Sequence, residues 1–146
     1  MYRSIQGGLL VLALTAGTTW GCGSSTTTTT PTTPTTPTTT SVTETFTGTL
    51  SMNGAATHTF TANAAGTVTA TLTSLGPDSP LTVGIGLGTW NGTGCAVGGG
   101  IWVDTAAQSA VVIATVSASA LLCVRIADVA AKITDPLTYT ITVVHP

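Results

Sequence analysis

Residues 42–52 read VTETFTGTLSM, and the reading of this stretch decides the fold. Val42, Phe46, Leu50 and Met52 share one parity, while Thr43, Thr45, Thr47, Thr49 and Ser51 share the other. Alternation with period two marks a β-strand with one buried and one solvated face, because successive side chains point to opposite sides of a sheet. Asn53-Gly54 follows. That pair favours a tight hairpin, since both central residues of a type I′ turn take positive φ.

The same pattern continues toward the C-terminus. THTFTA, residues 57–62, places His58, Phe60 and Ala62 on one face; Asn63–Gly66 reads as a turn, and GTVTATLTSL alternates through Val68, Ala70 and Leu72. Pro77 and Pro80 end that strand, because proline cannot donate to a ladder. LTVGIGLG, residues 81–88, sends Leu81, Val83, Ile85 and Leu87 one way and Gly84, Gly86 and Gly88 the other, leaving a smooth outer face. TWNGTGCAVGGG, residues 89–100, reads as a central loop. Further strands are expected over 101–104, 110–117, 121–128 and 137–145. SAVVIATVSASALL has the length of a helix, but its β-branched residues favour strand. About seven or eight short strands separated by turns predict an all-β fold, an antiparallel, jelly-roll-like β-sandwich over 42–146.

Composition narrows the function classes. Charged residues make up 5% of the 146 residues and net charge is −2, so no electrostatic footprint for nucleic acid is present. The hydrophobic content of 42% is that of a chain that builds a core.

Upstream of the strands the chain changes character. Arg3 precedes the apolar run Leu9–Leu14, which is shorter than the about 20 residues a bilayer span needs and suits the core of a signal peptide. An uncleaved anchor or a buried helix is the alternative. Gly21-Cys22 a few residues later resembles the lipobox of bacterial lipoproteins. The resemblance covers residues 1 to about 25 and implies a signal peptide over 1–21, cleavage before Cys22 and a lipid on its thiol. Thr19 and Trp20 depart from the family's usual residues there, and an ordinary cut after Gly17 would release a soluble protein. Residues 26–40 contain only Thr and Pro. Such a tract has no apolar face to bury, and its prolines favour an extended spacer of about 3.1 Å per residue. Residues 22–41 therefore read as anchor and stalk.

Within the β region, CVRIAD at Cys123–Asp128 and YTITVVHP at Tyr139–Pro146 resemble the closing strands of the bacterial pre-peptidase C-terminal domain. This is a small β-sandwich or jelly-roll module found beside secreted peptidases and in other exported proteins. HTFTANAAGTVTATLTSL, residues 58–75, is similar to that family's opening hairpin. The chain has Ala120-Leu121-Leu122 where members carry a Gly-x-Tyr step. With no peptidase domain beside it, the resemblance implies an accessory or binding role and carries no catalytic activity.

Candidate chemistry is sparse. In an exported protein Cys95 and Cys123 form a natural disulfide pair; without CxxC spacing or a nearby histidine, a metal or reactive-thiol role is disfavoured. His58 and His145 lie in strand-like stretches, no G-x-S-x-G elbow is present, and both histidines read as structural. Glu44, Asp78, Asp104, Asp128 and Asp135 are dispersed and form no calcium-loop pattern. Gly84–Gly88 lacks the G-x-G-x-x-G spacing of a phosphate loop, and the Asn91-Gly92-Thr93 sequon means little in a chain with bacterial export features. Trp90 and Trp102 flank the glycine-rich segment and are candidate ligand contacts by stacking; the competing reading packs them on the disulfide or at the sandwich edge. The sequence thus predicts no enzyme, cofactor or metal, but an exported protein held by lipid on the cell envelope, at the outer membrane or cell surface, that displays a binding or adhesion module for a glycan or protein. A passive envelope component, or an accessory to a separately encoded secreted peptidase, is the alternative. If Cys22 carries no lipid, the protein is periplasmic or secreted.

Overall fold

The computed structural model describes residues 40–77 and 80–146. The signal segment, Trp20, Cys22, the Thr/Pro tract up to residue 39, and Asp78 lie outside the described residues.

Eight strands follow one another as β1 (Val42–Leu50), β2 (Ala55–Ala62), β3 (Gly66–Gly76), β4 (Val83–Trp90), β5 (Cys95–Ala106), β6 (Val111–Val116), β7 (Ala120–Ala127) and β8 (Leu137–His145). They form two four-stranded sheets, ordered β1-β8-β3-β6 and β2-β7-β4-β5, with every neighbouring pair antiparallel. This interleaved order is that of a jelly-roll β-sandwich. The inner faces supply the core: Leu72, Ile141 and Val143 from the first sheet meet Ile85, Val124 and Ile126 from the second, all fully buried.

Two sequence expectations are corrected by the sheet order. Asn53-Gly54 does not close a hairpin, because β1 and β2 lie in opposite sheets. The Gly54 N–H donates to the Ser51 carbonyl at 2.8 Å, so Met52 and Asn53 are the central residues, and of these Asn53 takes positive φ, at 56°. The turn is a corner that carries the chain across the sandwich, and it leaves Met52 exposed, away from the buried face it was expected to share. Residues 58–75 likewise form no hairpin, since β2 and β3 also sit in opposite sheets. Local turn signals specify a reversal; which sheet receives the next strand depends on packing across the core.

The third correction concerns residues 89–100. Most of the expected loop is strand: β4 runs to Trp90 and β5 starts at Cys95, leaving a tight turn at residues 91–94. Asn91 Oδ1 builds that turn by accepting from the Thr93 N–H at 3.0 Å, the Thr93 hydroxyl at 3.0 Å and the Gly94 N–H at 2.8 Å. Such a side-chain turn is a favoured use of asparagine. The glycine run appears instead as a bulge. Gly86 pairs with Trp102 and Gly88 with Val97, so Leu87 alone faces residues 98–101.

Asp128 fixes the corner beside this sheet. Its carboxylate accepts from the backbone N–H of Asn53 and of Lys132, both at 2.9 Å, and of Ile133 at 3.3 Å. The intervening Ala130 and Ala131 both hold positive φ, a conformation alanine rarely adopts unless its surroundings enforce it. Burial pushes the Asp128 carboxyl up, but the three N–H donors and the Lys132 charge outweigh it and hold the group below the usual carboxylate range.

Candidate functional site

The outer face of the second sheet carries the candidate site. On β4 the core takes Val83, Ile85 and Leu87, which leaves Gly84, Gly86 and Gly88 pointing outward. This strip is not the smooth exposed surface expected, because its neighbours fill it. A Cβ at Gly86 would lie 2.7 Å from Trp102 Cε3, and a Cβ at Gly84 would collide with Trp102 Cζ2. Opposite corners of the indole's six-membered ring thus rest in the space that side chains at 84 and 86 would need. At Gly88 the β5 backbone itself closes in, with Val97 Cα 2.9 Å from the position of a Cβ.

That close approach explains the disulfide. Cys95 on β5 and Cys123 on β7 flank β4 on opposite sides, and second neighbours in a flat sheet stand about 9.5 Å apart. Their Cα atoms are 5.8 Å apart, with the bond formed between the two sulfurs. The bridge strides across β4, and only a glycine at position 88 lets the β5 chain come near enough.

Around the indole the face forms an open depression of about 610 Å³, lined by Val97, Trp102, Asp104, Arg125, Ala127 and Val129 among others. Registers set one row across it: Thr57 on β2 opposes Arg125 on β7, Arg125 opposes Gly86 on β4, and Gly86 opposes Trp102 on β5. Trp102 is half-buried, and its Nε1–H donates to the Asp104 carboxylate. Trp90 is half-buried too, but it ends β4 opposite Cys95, about 13 Å along the strand from Gly86. The two candidate tryptophans therefore lie apart, and Trp90 is not among the residues lining the depression.

Sequence reasoning passed over Arg125 and treated Asp104 as one of several scattered acids. Strand parity was the available signal. In ALLCVRIA the core claims Leu122, Val124 and Ile126, so Arg125 must share the outer face with Cys123.

The remaining candidates lie elsewhere. His58 stacks on Phe46 with ring centroids 4.9 Å apart, and its Nε2 shares a hydrogen bond with Tyr139 Oη at 2.8 Å. Burial lowers the His58 pKa and raises that of Tyr139. His145 is buried, with Nε2 3.0 Å from Glu44 Oε1 and Nδ1 3.1 Å from the Pro146 oxygen. His58 thus links β2 to β1 and β8, and His145 links β8 to β1. Among the described residues no group of three or more His, Cys, Asp or Glu is placed to hold a metal ion. The outer face of the first sheet is a lattice of threonines without a charged side chain, in rows such as Thr45–Thr142–Thr71 and Thr43–Val144–Thr69–Ile113. An apolar cavity of about 200 Å³ opens between the sheets beside β5 and β6, lined by Val68, Leu87, Ile101, Ala114, Val116 and Leu122 among others.

Compared with known proteins, the chain matches no protein-family model and no curated sequence.

Proposed function

We propose that this chain is a non-catalytic envelope protein, exported and anchored by a lipid on Cys22, whose β-sandwich binds glycans through the outer face of its second sheet. The observation that carries the reading is the placement of Trp102. An indole rests over a row of glycines, and it lines an open depression together with a carboxylate and a guanidinium. Sugars are bound by this combination in general: an aromatic face takes their C–H surface while charged and polar groups take their hydroxyls. The resemblance to pre-peptidase C-terminal domains supports an accessory or binding role of the same kind. The Thr/Pro stalk would hold the site away from the membrane.

A glycan array probed with the full chain tests the reading. Trp102→Ala abolishes binding in a protein that still melts cooperatively, while Trp90→Ala leaves it intact. Equal loss in both variants, or none in Trp102→Ala, rejects the assignment. A second reading, adhesion to a protein surface, is favoured by the uncharged threonine lattice of the first sheet, where Ile113 is 61% exposed. Substitution of Ile113 by Lys would then weaken attachment, and substitution of Trp102 would not.

A further inference from the structure

We propose that the depression selects glycans carrying an acidic substituent, with Arg125 as the residue that grips it. The inference rests on the glycan-binding reading above and names the class of sugar.

Three charged side chains line the depression, and two of them are already engaged. Asp104 accepts from the Trp102 indole N–H. Asp128 turns its carboxylate into the corner, where three backbone N–H groups hold it. Arg125 is exposed and takes part in no ion pair among the described residues. Its guanidinium has no hydrogen-bond partner among the described residues. The remaining cation of the described residues, Lys132, reaches Thr82 Oγ1 at 3.3 Å and is not among the residues lining the depression.

Position makes the free guanidinium more than a solvated surface charge. Arg125 stands on β7, an interior strand of its sheet, with Thr57 opposite on one side and Gly86, which has no side chain, on the other. The glycine leaves room for the Trp102 indole to lean over β4, so that indole and guanidinium border the same depression. A sugar ring seated against the indole would point one edge at Arg125 and the other at Asp104. A planar guanidinium fork matches a carboxylate or sulfate bidentately, whereas a carboxylate accepts from hydroxyls. The two charges therefore orient the ligand, its acid toward β7 and its hydroxyls toward β5. Val97, Ala127 and Val129 supply apolar surface beside the two charges.

The test measures binding of the full chain to polygalacturonate, to the same polymer fully methyl-esterified, to dextran and to dextran sulfate, for wild type, Arg125→Gln and Trp102→Ala. Wild type should prefer polygalacturonate over its ester, or dextran sulfate over dextran, by about five- to tenfold, the effect of one charge-assisted contact. Preference in the first pair alone assigns a carboxylate, and in the second alone a sulfate. Arg125→Gln should abolish the preference while binding to the uncharged polymers persists. Equal binding of acidic and neutral forms by wild type, or an unchanged preference in Arg125→Gln, overturns the acidic assignment and leaves the glycan reading standing. Absence of binding to all four, or binding unaffected by Trp102→Ala, overturns both.

Discussion

Gly86 and Trp102 face each other across the β4–β5 ladder, and the indole occupies the volume that any side chain at position 86 would need. The glycine is thus a structural partner of the tryptophan. Gly86→Ala places a methyl group 2.7 Å from Trp102 Cε3, 2.8 Å from the Ile101 carbonyl oxygen and 2.9 Å from Val97 Cγ1. The flexible side chains can move, but the carbonyl belongs to backbone. Gly86→Ala should cost about 1–3 kcal/mol, the usual range for overpacking, and it should displace the indole. Chemical denaturation measures the first effect, and a shift of the Trp102 indole N–H resonance measures the second.

Much of the fold was legible in residues 42–145, because alternating apolar residues state strand and face together. Val68, Ala70 and Leu72 are buried as their parity demands. Partition of strands between sheets was not legible. Asn53-Gly54 favours a tight turn in isolation, and only the core contacts of β1 and β2 send them to different sheets. The site was half legible: Trp102 stood out as an aromatic beside glycines, but its seat on Gly84 and Gly86 depends on the β5 bulge. A glycine run reads as loop from composition alone, since it carries no side chains to declare a strand face.

The Cys95–Cys123 bridge closes a separation of 28 residues. On the chain-entropy account, a loop of that length is worth about 3.5 kcal/mol. Cys95→Ser with Cys123→Ser should lower stability by about that amount in a urea titration, and it should loosen the start of β5 over Gly88. Hydrogen exchange would show the loosening as faster exchange at Ala96 and Val97, with β8 amides less affected.

Acid should weaken the domain in two steps. The folded His58 pKa lies below the unfolded value of about 6.5, so the unfolded chain takes up the proton first and stability falls as pH drops below about 6.5. The folded Asp128 pKa also lies below its unfolded value. Its contribution is complete above about pH 3.9 and is lost as pH falls through the lower folded value. Thermal melts from pH 7 to pH 2 should show both declines. His58→Gln should remove the upper one. Asp128→Asn should flatten the lower one and cost about 1–3 kcal/mol at neutral pH, since its backbone donors lose an ionised acceptor.

Attachment through Cys22 predicts a mature chain that begins at that residue and partitions with membranes. Intact mass of the purified protein should show an acylated N-terminal cysteine, and Cys22→Ala should appear in the soluble fraction. An unmodified N-terminus upstream or downstream of Cys22 would contradict the anchor.

The central claim is that the second sheet's outer face, at Trp102, is where ligand binds. Titrating the isotopically labelled protein with an acidic oligosaccharide and following its amide and indole N–H resonances tests this most directly. The account predicts progressive shifts of the Trp102 indole N–H and of the Arg125, Asp104 and Thr57 amides, with Trp90 and the threonine rows of β1, β8 and β3 unmoved. Shifts confined to the threonine face, or to Trp90 and the β4–β5 turn, would contradict it.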